Sequence, residues 1–405
     1  MRTIPAISIA LVASMATTTG ADGDGPRRVL VGRDLSRTEI VVEGLDASGV
    51  HTRDAKGSRR TIPHAEVLAL HRVSRAAPSG TLPVVSLTDG QRIVGALGAS
   101  EPGSDAGDSV RVDHPLLGTL SVPLDLVETV TNPGMPEPAR GPGDDVVLLV
   151  NGDVLRGFVT RIGREVGMES PAGDTQAIPL ESVASVRVQN PEVRATGPMV
   201  WLADGTVARI AMPVPPTDAG LVTLDPLLAR TSGASEAEQE GGPPTTILDN
   251  VLGWMPDAAR LVPLSRLSLA SVTPVAPRPW TDEPELGDPD AGPLSAAEIR
   301  MPGPCVAVWT LPPDADGITC EVILPEAFRD WGDCEVVIGA STRGDGSEPI
   351  EVWRGRINGD APTTNVAASF ARGSTSLVVR VEPGELGPVQ DRPTIASAFV
   401  RITPR

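Results

Sequence analysis

The side chains best suited to chemistry are few, and the most telling is Trp331. It stands in Phe328-Arg329-Asp330-Trp331-Gly332-Asp333, a charged, glycine-containing stretch that reads as a loop. An indole on a loop offers a flat face that can stack on the C–H face of a sugar ring. The adjoining Arg329 and Asp330 would supply donors and acceptors for its hydroxyls. Trp280, Trp309 and Trp353 lie in the same C-terminal region, which holds four of the six tryptophans. Trp309 and Trp353 fall inside apolar runs and are expected in a core. Trp331, Asp330 and Arg329 are therefore the candidate ligand-binding residues.

Other chemistry finds little support. The chain has no GxSxG, HExxH, phosphate-binding loop or paired CxxC, so no nucleophile, zinc site or phosphate cradle is indicated, and no cofactor is called for. The four histidines, His51, His64, His71 and His114, form no close metal-binding pair and are expected to be solvated or half-buried. Asp314-Ala315-Asp316-Gly317 and Asp288-Pro289-Asp290 hold oxygens that could meet Ca²⁺, but neither has EF-hand spacing, and solvated turns are the expectation. Cys305, Cys320 and Cys334 allow one disulfide with one thiol left over, or three small buried residues.

The elements that would position these groups are read from composition. Of 405 residues, 40% are hydrophobic but only 2% aromatic, with no tyrosine, so the cores must be aliphatic. Glycine (42) and proline (41), scattered among valine-rich runs, favour short strands and turns over long helices. A net charge of -18 without a basic face argues against nucleic acid as a partner. Residues 1–21 resemble a secretory signal peptide, with Arg2, the apolar run Ile4–Ala13 and small residues at Ala16 and Ala21. The apolar run is too short to span a bilayer, and no later stretch is long enough, so no transmembrane span is expected. The expected location is outside the cytoplasm: periplasmic, cell-surface or extracellular.

Between the leader and the C-terminal region one plan recurs. An apolar run meets a tight turn, at Asp89-Gly90, Asn151-Gly152 and Asp204-Gly205, and a second run follows. Each unit then closes with an apolar residue, a proline (Pro63, Pro123, Pro179 or Pro263), a polar step and a further apolar run. The units are placed at 27–76 (a degenerate copy), 83–132, 144–191 and 198–270, the last with a polar insert near 231–244 that is expected to be disordered. Five strands per unit suit a small, strongly bent sheet of SH3-like or Sm-like form. The alternative is one continuous layer in which the units pair.

From 271 to 405 the pattern changes to seven or eight strand-like runs at short intervals, which implies a β-sandwich. Pro279-Trp280, Gly292-Pro293-Leu294, Ile299–Leu311, Cys334–Ala340, Glu351–Gly355 and Ser376–Val381 follow one another in an order that resembles the NPCBM-type carbohydrate-binding module. The preceding repeats resemble those found ahead of this module in secreted planctomycete-type proteins. The resemblance implies a galactose-binding-like jelly roll. In the family's terminal motif only Asp391 of Asp391-Arg392-Pro393-Thr394-Ile395 fits, and it joins the candidate ligand-binding residues on that ground; the family's Gly-[Val/Ile]-His segment is replaced by Ile299–Pro304. The expected fold is all-β: tandem small β-barrel-like repeats followed by a jelly roll. The expected function is exported, non-enzymatic binding of a carbohydrate or cell-surface polymer, with protein partners through the repeats. A structural or protein-interaction component of the cell envelope is the alternative.

Overall fold

The computed structural model describes residues 27–53, 57–72, 80–98, 109–138, 143–211, 221–224, 226–230, 245–276, 279–289, 292–342 and 349–403. The leader-like segment, the insert near 231–244 and Asp290 lie outside them. The described chain is all-β, relieved only by one-turn 3-10 helices.

The tight turns form as their residues dictate. Gly90, Gly152 and Gly205 take φ of 82°, 90° and 90°, a conformation open to glycine at little cost. The preceding Asp or Asn accepts the backbone N–H two residues on: Asp89 from Gln91 (3.2 Å), Asn151 from Asp153 (3.0 Å) and Asp204 from Thr206 (2.9 Å). The degenerate first unit has the same turn without the glycine. Asp34 accepts from Ser36 N–H at 3.0 Å, and Leu35 takes the left-handed position at φ 71°. Leu35 is fully buried, in the apolar cluster that joins the repeats to the sandwich. Burial there outweighs the backbone strain, roughly 1–3 kcal/mol for such a residue.

Each closing proline is extended, with φ between -59° and -55°, and opens a 3-10 turn: His64–Glu66, Leu124–Leu126, Leu180–Ser182 and Leu264–Arg266. The fourth of these does not close the fourth unit. That unit closes earlier, through Leu248–Asn250 into the strand Val251–Met255, with Ile247 in the place of the proline. The Pro263 motif instead feeds the sandwich: Leu261–Pro263 pairs with Thr394–Ile402, and Leu269–Pro274 with Cys305–Thr310.

The units pair through one another in a sixteen-stranded antiparallel sheet. The closing strands of the second and third units lie side by side (Val130↔Val186), as do those of the first and fourth (Leu70↔Trp254). Within this sheet a single register pair, Val207↔Arg92, joins the fourth unit to the second. Across the sheet the units therefore run third, second, fourth, first, over a common aliphatic core. Within the outer two units the strand order is fifth, first, second, third, fourth, so their fourth strands, Thr175–Pro179 and Arg59–Ile62, form the two ends of the sheet.

The C-terminal region is a β-sandwich. One sheet holds Glu285–Leu286, Ile299–Arg300, Thr394–Ile402, Ala315–Ile323 and Thr363–Ser369 in that order; the other holds Leu269–Pro274, Cys305–Thr310, Ser376–Pro383, Asp333–Ser341 and Ile350–Asn358. Alternate residues of both sheets build the core, including Trp309, Val336, Val379 and Val400. Cys305, Cys320 and Cys334 are all buried there, and none is joined to another in a disulfide.

Candidate functional site

The Trp331 loop crosses from one sheet of the sandwich to the other. It leaves the strand Ala315–Ile323, makes a 3-10 turn at Glu326–Phe328 behind Pro325, and enters Asp333–Ser341. Gly332 is where it packs. A Cβ there would lie 2.5 Å from the Phe328 oxygen and 2.9 Å from that of Gln390, so only glycine fits. With the backbone pressed inward at 332, the neighbouring indole turns outward, and Trp331 is 60% exposed. Arg329 and Asp330 are exposed beside it. Arg329 Nε donates to the Leu324 carbonyl at 3.3 Å. The structure thus brings together three of the four residues singled out from sequence.

Asp391 does not join them at the surface. It is buried, at 1% exposure, and its Oδ1 accepts the backbone N–H of Asp333 at 3.2 Å. It holds the floor of the loop. Asp333, which sequence reasoning did not single out, is the hub of that floor. Its carboxylate accepts Nε and Nη2 of Arg356 at 2.7 and 2.8 Å, and the N–H of Glu385 at 2.8 Å. Its carbonyl accepts the N–H of Gly384 at 2.6 Å. The bidentate Arg356 interaction holds the Asp333 carboxyl below the usual range, against the opposing effect of burial. Three chain segments therefore meet at this end: the Trp331 loop, the end of Ile350–Asn358, and the loop 384–391. The last bears the exposed apolar side chains Leu386 and Val389. In the sequence Pro383-Gly384 and Gly387-Pro388 mark this stretch as a turn.

Trp309 is in the core, as its apolar run implied, and Trp353 packs against that core. Trp280 is 63% exposed, on a separate stretch. Among the described residues no group of three or more His, Cys, Asp or Glu side chains is placed to hold a metal ion. Asp316, one of the acids considered for Ca²⁺, accepts Arg401 Nε at 2.6 Å instead. No helix among the described residues is long and apolar enough to cross a membrane. Two histidines depart from expectation. His71 and His114 are buried, the latter because Nδ1 accepts the N–H groups of Leu116 and Leu117 (both 2.9 Å) while Nε2 faces Asp204 and Thr206 (3.0 and 2.8 Å).

No family model matches the chain, and no curated protein matches it. Solved structures with some likeness contain CBM51 modules, in one case beside an M60 catalytic domain. A CBM51-2 and INT domain pair from Clostridium perfringens ZmpB is 17% identical with a TM-score of 0.27, over 35% of this chain and 31% of that one. CBM51 from Clostridium perfringens GH95, solved with methyl-galactose, is 17% identical with a TM-score of 0.26, over 35% of this chain and 99% of its own. The tandem CBM51 modules of Sp3GH98 from Streptococcus pneumoniae are 10% identical with a TM-score of 0.28, over 93% and 88%. The all-β assignment, with a C-terminal sandwich, stands on the strand order and cores described above.

Proposed function

We propose that this protein is an exported, non-enzymatic binder of carbohydrate or a cell-surface polymer, and that it grips its ligand at the Trp331 end of the sandwich. The observation that carries the reading is the exposed indole of Trp331, set on a loop whose floor is fixed by buried carboxylates. With Leu386 and Val389 also exposed at this end, the indole belongs to a group of apolar side chains open to water, which suits a partner surface. Arg329 and Asp330 flank it with complementary hydrogen-bonding capacity. Asp391 and Asp333 act as positioning residues. Export rests on the leader-like sequence.

The test is a glycan and cell-wall polysaccharide binding screen on the full chain. Saturable binding is expected, with quenching of tryptophan fluorescence. Trp331→Ala should weaken it by about a hundredfold, the scale of a lost aromatic anchor, while Trp280→Ala leaves it unchanged. Absence of binding to any glycan, or an unaltered Trp331→Ala protein, would sink the reading. A structural or interaction role draws on a different observation, the open ends of the sixteen-stranded sheet.

A further inference from the structure

The two ends of the long sheet are the same strand in two copies of the repeat. Arg59–Ile62 in the first unit and Thr175–Pro179 in the third each precede a closing 3-10 turn, and among the described residues each pairs with a strand on one side only. In both, three consecutive side chains are exposed before a buried isoleucine: Arg59, Arg60 and Thr61 before Ile62, and Thr175, Gln176 and Ala177 before Ile178. A strand lying flat on a core alternates between buried and exposed positions. These two are wet on both faces and leave a row of backbone groups open to another strand. The second unit shows that this strand accepts one. Its fourth strand, Gly118–Pro123, is covered on its outer side by Ala229–Arg230, which the fourth unit's insertion supplies (Leu120↔Arg230, Ser121↔Ala229).

Charge distinguishes the two open ends. The first-unit end carries Arg53, Arg59 and Arg60, with Glu43 between Arg53 and Arg59. The third-unit end carries the exposed acids Glu165, Glu169 and Asp174, with Arg161 drawn to Glu165 at 3.0 Å. Like ends repel and unlike ends attract. We propose that the first-unit end of one copy of this chain pairs with the third-unit end of the next, extending the sheet head to tail. A joint between two different ends is heterologous, so it builds an open chain of copies rather than a closed dimer. The inference does not depend on sugar binding, which takes place on the other region.

Sedimentation velocity on the full chain tests it at low and high ionic strength. Concentration-dependent species larger than a dimer are expected at low salt and should be dispersed at high salt. Two variants decide the matter, Arg59→Glu/Arg60→Glu and Glu169→Lys/Asp174→Lys. Each alone places like charges at both ends and should weaken association by about a hundredfold. Mixed together, the two variants present unlike ends again and should reassociate, which also shows that both remain folded. A monomer at every salt concentration, a species that stops at two copies, or variants that do not recover on mixing would overturn the proposal.

Discussion

Asp333 shows how much of a surface site can be decided underneath it. Its carboxylate is almost wholly buried, yet it ties together the strand bearing Arg356, the loop starting at Gly384, and the entry to the Trp331 loop. Its folded pKa lies below the ordinary carboxylate value, with the Arg356 hydrogen bonds the chief cause. The unfolded chain therefore takes up the proton first as pH falls. The stabilisation is whole above the unfolded value, near 4, and is lost progressively below it. Acid should loosen this end of the sandwich, seen as a shift in Trp331 emission that sets in as pH falls below about 4 and precedes global unfolding. Asp333→Asn should lower stability by about 2 kcal/mol at neutral pH and flatten that acid limb. A variant as acid-sensitive as the parent would assign the effect to another group. The exposed triplet of Arg329, Asp330 and Trp331 was legible because loop chemistry is local. Asp333 was not, because its importance comes from Arg356 and Glu385, which the chain brings back from far along the sequence.

At the scale of the element, the turns and closings were the legible part. Asn-Gly and Asp-Gly pairs announce hairpins, and a proline at a strand end announces a 3-10 turn. Both rules hold in the repeats, but not in the sandwich, where Asp316-Gly317 runs within the strand Ala315–Ile323 and Pro274 and Pro383 end strands with no 3-10 turn after them. They fail where tertiary packing substitutes for them. Leu35 sits in a glycine's conformation because its side chain fills the joint between repeats and sandwich. Ile247 opens the true closing turn of the fourth unit without a proline, so the proline-bearing motif at Pro263 drew attention to the wrong strand. Leu35→Gly separates the two effects at that turn. It relieves strain of roughly 1 kcal/mol but removes a buried side chain worth about 3 kcal/mol. A net loss of about 2 kcal/mol is expected in denaturant unfolding; a gain would mean that the backbone, not the burial, governs the turn.

For the whole molecule, the joint between repeats and sandwich is continuous packing. Val31, Leu35, Leu68, Met255, Leu294 and Phe399 form one buried cluster. Around it Arg401 Nη1 donates to the Arg33 carbonyl (2.7 Å) and Trp201 Nε1 to Ser295 Oγ (2.9 Å). A joint of this kind predicts that the two regions unfold together. The buried thiols report on it. Burial pushes Cys320 and Cys334 up to about 12, and the thiolate is the reactive form, so both are inert while the sandwich is folded. Labelling of these cysteines by a thiol reagent across a denaturant series should coincide with the loss of Trp254 burial in the repeats. Labelling that precedes it would show the sandwich opening alone.

The order of units across the long sheet also governs when it can form. The first unit's buried Arg28 bonds the carbonyl of Val251, 223 residues away along the chain, and its closing strand lies against Val251–Met255. During synthesis the first unit emerges with that flank bare. It must wait for the second and third units to be made before its neighbour exists. Loop closure over such a span is slow relative to hairpin formation. The first unit is thus made well before the strand that shelters it, and it is in that interval that Val67–Arg72 is most open to pairing with a foreign strand.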